Sequence, residues 1–282
     1  MKNEMKIVIA TDFTDAADNA VNYVHAVLNK DILDAQPHYL FVHAFKPLTP
    51  YSNTPSMPVI RNDELERVLK QKLDKLQADI ASKLSDSQFV SQVFARGSVN
   101  EVLSDVVKDA NVQLIVMGSR GKGAFTRMTV GSNTLEVANT VDCPLLAIPD
   151  KEIPHRLSKI TLATSLGSQS LSKRSLELLE RLVDGGKVAL EVIHVFDGEV
   201  PDDVEASMKS SQIHHQLSNL SHSHRHLEGD DIAATLSEYI AEHQPDLVAM
   251  APSEKSLFDK IFHQSKTEKM IYHEGMPTLI LT

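Results

Sequence analysis

The sequence predicts an α/β protein built as two tandem, doubly wound domains, each a mainly parallel five-stranded sheet with helices on both faces. Three observations predict it. Strand-length apolar runs alternate with helix-length amphipathic stretches along the chain. The strand runs are apolar at successive positions, as in a parallel sheet covered on both sides. The chain also repeats itself. Met117 falls on Met250 and Pro144 on Pro277, both 133 positions apart.

In the first half, Lys6 to Ala10 reads as a strand, Asp15 to Leu28 as a helix and His38 to Ala44 as a second strand. Pro47, Pro50, Pro55 and Pro58 then mark a loop. Leu65, Leu69, Leu73, Leu76, Ile80 and Leu84 recur at steps of three and four, one apolar stripe on a helix. Gln88 to Ala95 reads as a strand, Asn100 to Lys108 as a helix and Leu114 to Met117 as a short buried strand. Asn133 to Val141 is the last helix, and Pro144 to Pro149 the closing strand.

The second half repeats this order. Val112-Gln-Leu-Ile-Val-Met117 matches Pro245-Asp-Leu-Val-Ala-Met250, and Cys143-Pro-Leu-Leu-Ala-Ile148 matches Met276-Pro-Thr-Leu-Ile-Leu281. With small gaps, Lys6 to Thr11 matches Lys159 to Thr164, and Leu40 to Phe45 matches Leu190 to Phe196, with His43 over His194. Shared spacing across a whole loop is the mark of duplication. The expected domains are residues 1–150 and 151–282, divided near the polar stretch Asp150 to His155.

Composition narrows the function classes. With 42% apolar and 23% charged residues the chain is of the soluble globular type. No apolar run reaches the roughly 20 residues of a membrane span, and Ile7 to Ala10 is too short for a signal-peptide core. A single cysteine, Cys143, forms no internal disulfide, which points to the reducing cytoplasm. A formal charge of −10 argues against bulk binding to nucleic acid or anionic lipid.

The strongest chemical motif is Gly118-x2-Gly121-x9-Gly131-Ser132, which starts where strand Leu114 to Met117 ends. In an open parallel sheet the ligand crevice lies beyond the carboxyl ends of the strands. Glycine there permits positive φ and close approach of a phosphate to the backbone, and successive N–H groups form an anion nest. Gly131 and Ser132 precede the helix near Asn133, whose free N–H groups and positive dipole end suit phosphate. Ser132 either donates a hydroxyl or caps that helix. Arg120 and Lys122 are placed to meet phosphate charge. The competing reading is a plain turn at Gly118 and Gly121 with a close chain crossing at Gly131. The Gly-Lys-Ser/Thr step of a Walker loop is absent.

This spacing, after a strand ending Val-Met, resembles the ATP-binding signature of the universal stress protein family. Ile7-Val-Ile-Ala-Thr-Asp12, Leu40-Phe-Val-His-Ala-Phe45, Gly97-Ser-Val-Asn-Glu-Val-Leu and Cys143-Pro-Leu-Leu-Ala-Ile-Pro149 resemble other parts of it. The resemblance covers residues 5–149 and, more faintly, 158–282, as in tandem members. It implies the adenine nucleotide alpha hydrolase-like fold and ATP with Mg²⁺ as ligand. Thr11 and Asp12 would flank adenine and ribose, with Asp12 near the ribose or metal-bound phosphates. Ala44 would offer backbone groups to adenine, and Met117 would pack near the adenosine. Gly118, Arg120, Gly121, Gly131, Ser132 and Asn133 would hold the phosphates. For Asp12 the alternative is a helix cap or dipole partner.

In the second half the motif is erased. Gly118 maps to Ala251, Gly121 to Glu254, Gly131 to Gln264 and Asp12 to Ser165, while Ser132 survives as Ser265. A carboxylate at 254 would repel phosphate by about 1 kcal/mol or more. The expectation is one ATP site per chain, with the second half supplying the surface that single-domain relatives obtain by dimerising; a further homodimer stays open. His214, His215, His222, His224 and His226 cluster in the second half. On a strand His222, His224 and His226 share one face, which suits either Zn²⁺ or a polar edge facing solvent. Three activities remain open: a nucleotide-dependent stress-response or regulatory module, a slow ATPase or phosphotransferase, and a nucleotide-independent interaction protein with a metal-binding C-terminal half. Hydrolysis needs an oriented water as well as phosphate binding, and Asp12 is the only carboxylate the sequence places near the phosphates.

Overall fold

A computed structural model describes residues 4–28, 36–47, 62–83, 89–119, 132–150, 156–164, 170–183, 187–196, 203, 212–229, 232–251 and 276–282. The first half runs β1 (Glu4–Ala10), α1 (Asp15–Val27), β2 (Gln36–Phe45), α2 (Asn62–Ala81), β3 (Val90–Arg96), α3 (Val99–Ala110), β4 (Leu114–Gly118), α4 (Ser132–Thr140) and β5 (Leu145–Ile148). The second runs β6 (Lys159–Thr164), α5 (Lys173–Val183), β7 (Ala189–Phe196), α6 (Gln212–Gln216), β8 (His222–Glu228), α7 (Ile232–His243), β9 (Leu247–Met250) and β10 (Thr278–Ile280).

The strands form one ten-stranded sheet in the order β3-β2-β1-β4-β5-β10-β9-β6-β7-β8. Each half thus contributes five parallel strands in the same order. Successive residues of β1 are buried, and they divide between the faces. Ile7 and Ile9 join a core with Val21 and Val24 of α1, Leu73 of α2 and Leu178 of α5. Val8 joins a core with Leu103 of α3, Val137 of α4 and Ile240 of α7. The unbroken apolar run in β1 therefore follows from its place between two helical layers.

Local signals explain the helix boundaries. The Thr14 side chain caps α1 by accepting from the Ala17 N–H. Ser98 and Glu101 form a reciprocal capping box at α3, which ends at Asn111 in the left-handed region. The leucine stripe on α2 buries Leu73 and Ile80; its expected last member, Leu84, lies outside the described residues.

The sequence predicts two five-stranded sheets. The structure joins them, because β5 and β10 pair antiparallel, with Leu146 opposite Leu279. An open sheet leaves a row of unpaired N–H and C=O groups at its edge. Both strands are buried on both faces, so pairing with each other is how these backbone groups are satisfied. No described helix is long and apolar enough to cross a membrane. Cys143 is buried, and burial pushes its thiol up to about 12, which leaves it unreactive.

Candidate functional site

In the first half the strand order reverses between β1 and β4, whose neighbouring helices α1 and α3 lie on opposite faces. Ala10 pairs with Met117, so the chain leaves both strands side by side, through Thr11 and Gly118. This is the switch point at which open α/β sheets hold ligands.

Residues 11–14 form a tight, braced turn. Thr11 Oγ1 accepts from the Phe13 N–H at 3.1 Å. Asp12 Oδ1 accepts from the Thr14 N–H at 3.1 Å and the Thr14 hydroxyl at 2.5 Å. Phe13 sits at φ 59, a conformation that costs a non-glycine residue about 1–2 kcal/mol. Its ring lies 4.7 Å from that of His43, and Lys72 Nζ stands 5.7 Å above it. His43 is buried, with Nδ1 2.7 Å from the Thr11 carbonyl. Since a carbonyl only accepts, Nδ1 carries the proton. Burial lowers the His43 pKa, and Lys72 adds to this, while the Thr11 bond and Asp12 oppose it. Neither Phe13 nor His43 was expected at the site from the sequence. The match of His43 to His194 across the repeat was the available signal.

On the β4 side, a Cβ on Gly118 would lie 2.6 Å from the Ala16 carbonyl carbon and 2.8 Å from the Ala17 nitrogen. The missing side chain therefore lets the first turn of α1 rest directly on the end of β4. Among the described glycines only Gly97 has positive φ, so positive φ is not the reason for glycine at 118. The buried Thr134 hydroxyl donates to the Gly118 carbonyl at 3.3 Å and ties the first turn of α4 to the same point. Two helix N-termini thus converge on Gly118. They differ in charge. The first turn of α1 carries Asp15 and Asp18, whereas that of α4 carries no acidic residue. Burial raises the Asp18 pKa, and repulsion by Asp15 and Asp12 adds to it.

The other expected site residues divide as follows. Ser132 and Asn133 open α4 and are exposed. Ala44 is half-buried near the end of β2, opposite Ala95. Met117 is buried in the core beneath α3 and α4. Arg120, Gly121, Lys122 and Gly131 lie outside the described residues. Thr134 went unnoticed in the sequence, although it follows Asn133 directly.

The equivalent point in the second half is built differently. Ala163 pairs with Met250, and Ala251 is buried at the end of β9. Helix α5 starts at Lys173, well beyond the end of β6 at Thr164, whereas α1 starts at Asp15, soon after Ala10. Ser165, Glu254, Gln264 and Ser265 lie outside the described residues.

The histidines gather on the far edge of the sheet. β8 is the edge strand, where the sequence places it, and His222 and His224 lie on it two residues apart. Their partner is His214 of α6, whose Nδ1 lies 3.2 Å from His224 Nε2. One ligand atom from each of His214, His222 and His224 falls within 4.8 Å of the others. His226 instead lies 3.7 Å from the Glu228 carboxylate and against Phe196. His194 of β7 is buried and stacks on His224 at 6.2 Å. Burial, with His224 and His214 nearby, lowers its pKa to about 4.

Comparison with known proteins agrees with this architecture. The profile described as the universal stress protein family matches residues 5–149. A Thermus aquaticus protein described as "Universal stress protein in QAH/OAS sulfhydrylase 3'region" is 28% identical over 145 residues, which is 50% of this chain and 96% of that one. A universal stress protein of known structure from Archaeoglobus fulgidus DSM 4304 superposes with a TM-score of 0.68 at 15% identity, over 98% of this chain and 97% of its own. A putative universal stress protein from Pseudomonas aeruginosa UCBPP-PA14 gives 0.56 at 14% identity, over 99% and 93%. These two structures share the fold over the whole length of the chain. The matched profile spans more than half of the sequence, and the chain belongs to the universal stress protein family.

Proposed function

We propose that residues 1–150 bind one ATP, with Mg²⁺, in the crevice between β1 and β4, and that the protein acts as a nucleotide-dependent stress-response or regulatory module. The observation that carries this is the meeting of two helix N-termini on Gly118 at the switch point of the sheet. The α4 terminus, without an acidic residue in its first turn, suits phosphate. Ser132 and Asn133 open that turn, and Gly118, Arg120, Gly121 and Gly131 complete the motif around it. The acidic group Asp12, Asp15 and Asp18 on the α1 side suits a divalent cation accompanying the phosphates. Asp12 would be its ligand or that of the ribose, while Thr11, Ala44 and Met117 would border the nucleoside.

Residues 151–282 would carry no second ATP site and would act as a built-in partner, making a pseudo-dimer within one chain. Two observations support this. Ala251 replaces Gly118, and the β5–β10 pairing joins the halves through their backbones. Asp12 Oδ1 already accepts two hydrogen bonds from Thr14, a holding role and a poor one for a general base. ATP added to the protein should accordingly remain intact over hours.

Extraction of the purified protein, followed by titration with Mg·ATP, tests the reading. Gly131→Glu places a carboxylate in the phosphate motif, and should abolish nucleotide binding while the circular dichroism spectrum stays unchanged. Undiminished ATP affinity in that variant would remove the assignment, and rapid turnover would move it to the ATPase reading.

A further inference from the structure

Apart from the proposed nucleotide site, we infer that His214, His222 and His224 form a three-histidine Zn²⁺ site between α6 and the edge strand β8. The ligand atoms are His214 Nδ1, His222 Nε2 and His224 Nε2. Tetrahedral Zn²⁺ with Zn–N bonds of about 2.0–2.1 Å holds its nitrogens about 3.3 Å apart. His214 Nδ1 and His224 Nε2 already stand at 3.2 Å, and one ring nitrogen from each of the three histidines lies within 4.8 Å of the others. Small side-chain rotations close the set around one ion.

The hydrogen bonds around the cluster fix where the lone pairs point. His222 Nδ1 lies 2.7 Å from the Leu220 carbonyl. A carbonyl only accepts, so Nδ1 holds the proton and Nε2 the lone pair. That Nε2 is buried with no hydrogen-bond partner. A metal-binding imidazole usually donates its other N–H to such an acceptor. His194 repeats the pattern beside the cluster. The Thr164 hydroxyl donates to the Ile193 carbonyl at 3.1 Å and lies 2.9 Å from His194 Nδ1. Nδ1 then donates to the hydroxyl, which leaves the His194 Nε2 lone pair buried and unpartnered. Buried polar atoms are seldom left so. Zinc would satisfy His222 Nε2.

The competing description is an imidazole–imidazole hydrogen bond between His214 and His224. It accounts for the 3.2 Å contact but leaves the buried His222 Nε2 without a partner. The framework favours a real site: β8 is fixed along its length by pairing with β7, with Val192 opposite His224, and Ile213 anchors α6 in the core next to His214.

The test uses the untagged full-length chain, stripped with a chelator and titrated with ZnCl2 against a chromophoric competitor. One Zn²⁺ per chain is expected. His222→Gln/His224→Gln and, separately, His214→Gln should weaken binding by about 100-fold or more. His226→Gln and His215→Gln, outside the set, should leave it unchanged. Zinc should raise the thermal midpoint of the wild type but not of the double variant, whose metal-free midpoint shows whether it is folded. No stoichiometric zinc on the wild type would overturn the inference. So would equal affinity in the wild type and the double variant, or loss of binding through His226→Gln alone. Nucleotide binding by the same preparations keeps the outcome separate from that of the proposed ATP site.

Discussion

Gly118 shows how one absent Cβ shapes the crevice. The α1 backbone occupies the space a side chain would need, at 2.6–2.8 Å. Gly118→Ala should therefore destabilise the protein by about 1–3 kcal/mol through overpacking, read as a lower urea midpoint at unchanged slope. An unchanged midpoint with lost nucleotide binding would mean that the glycine serves the ligand alone. His43 makes a second prediction at this scale. Its folded pKa is lowered, chiefly by burial, so the unfolded chain takes up the proton first as pH falls. Its contribution is complete above the ordinary histidine value of 6.5 and is lost as pH falls from there through the lowered folded value. His43→Gln should lose less stability than the wild type between neutral pH and about pH 5; parallel pH profiles would contradict this. Asp12 and Lys72 face this imidazole and act in opposite directions, Asp12 raising its pKa and Lys72 lowering it, both less than burial does. The motif glycine at 118 was legible in the sequence, but its packing against α1 was not. Spacing along a strand does not say which backbone passes over it. Phe13 at φ 59 was equally hidden, because a left-handed aromatic residue has no sequence signature.

At the scale of elements, the site depends on where two helices begin. Helix α1 is started by Thr14 and steadied by Asp12, so the holding role that the sequence offered as the alternative to a ligand role is present in the fold. Helix α4 is held by the Thr134 hydroxyl on the Gly118 carbonyl. Thr134→Val keeps the shape and removes that bond. It should cost about 1 kcal/mol in stability and weaken ATP binding several-fold, measured by denaturation and by titration calorimetry. Unaltered affinity would mean that the α4 terminus does not hold phosphate. The strands and long helices were readable because burial on one or both faces imposes its period on the sequence. The partner of the β8 histidines was not. His214 reaches His224 only because α6 packs over the sheet, and His226, on the same strand face, turns to Glu228.

Across the described residues the two halves share one strand order and meet in one sheet. Shared spacing around Met117 and Met250 points to duplication, and the structure gives both halves the same strand order. The seam between β5 and β10 was out of reach, since apolar strands announce that they are buried and not which edge they meet. The two halves differ at the end of the fourth strand of each. The half with Gly118 brings α1 and α4 onto the switch point, while the half with Ala251 starts its first helix later. Under the proposed function, one nucleotide per chain is expected. Titration of the intact, nucleotide-stripped protein with Mg·ATP, with sites counted by calorimetry, tests this most directly. The account predicts a single site per chain that disappears in Gly131→Glu. Two equal sites, or one that survives Gly131→Glu, would contradict it.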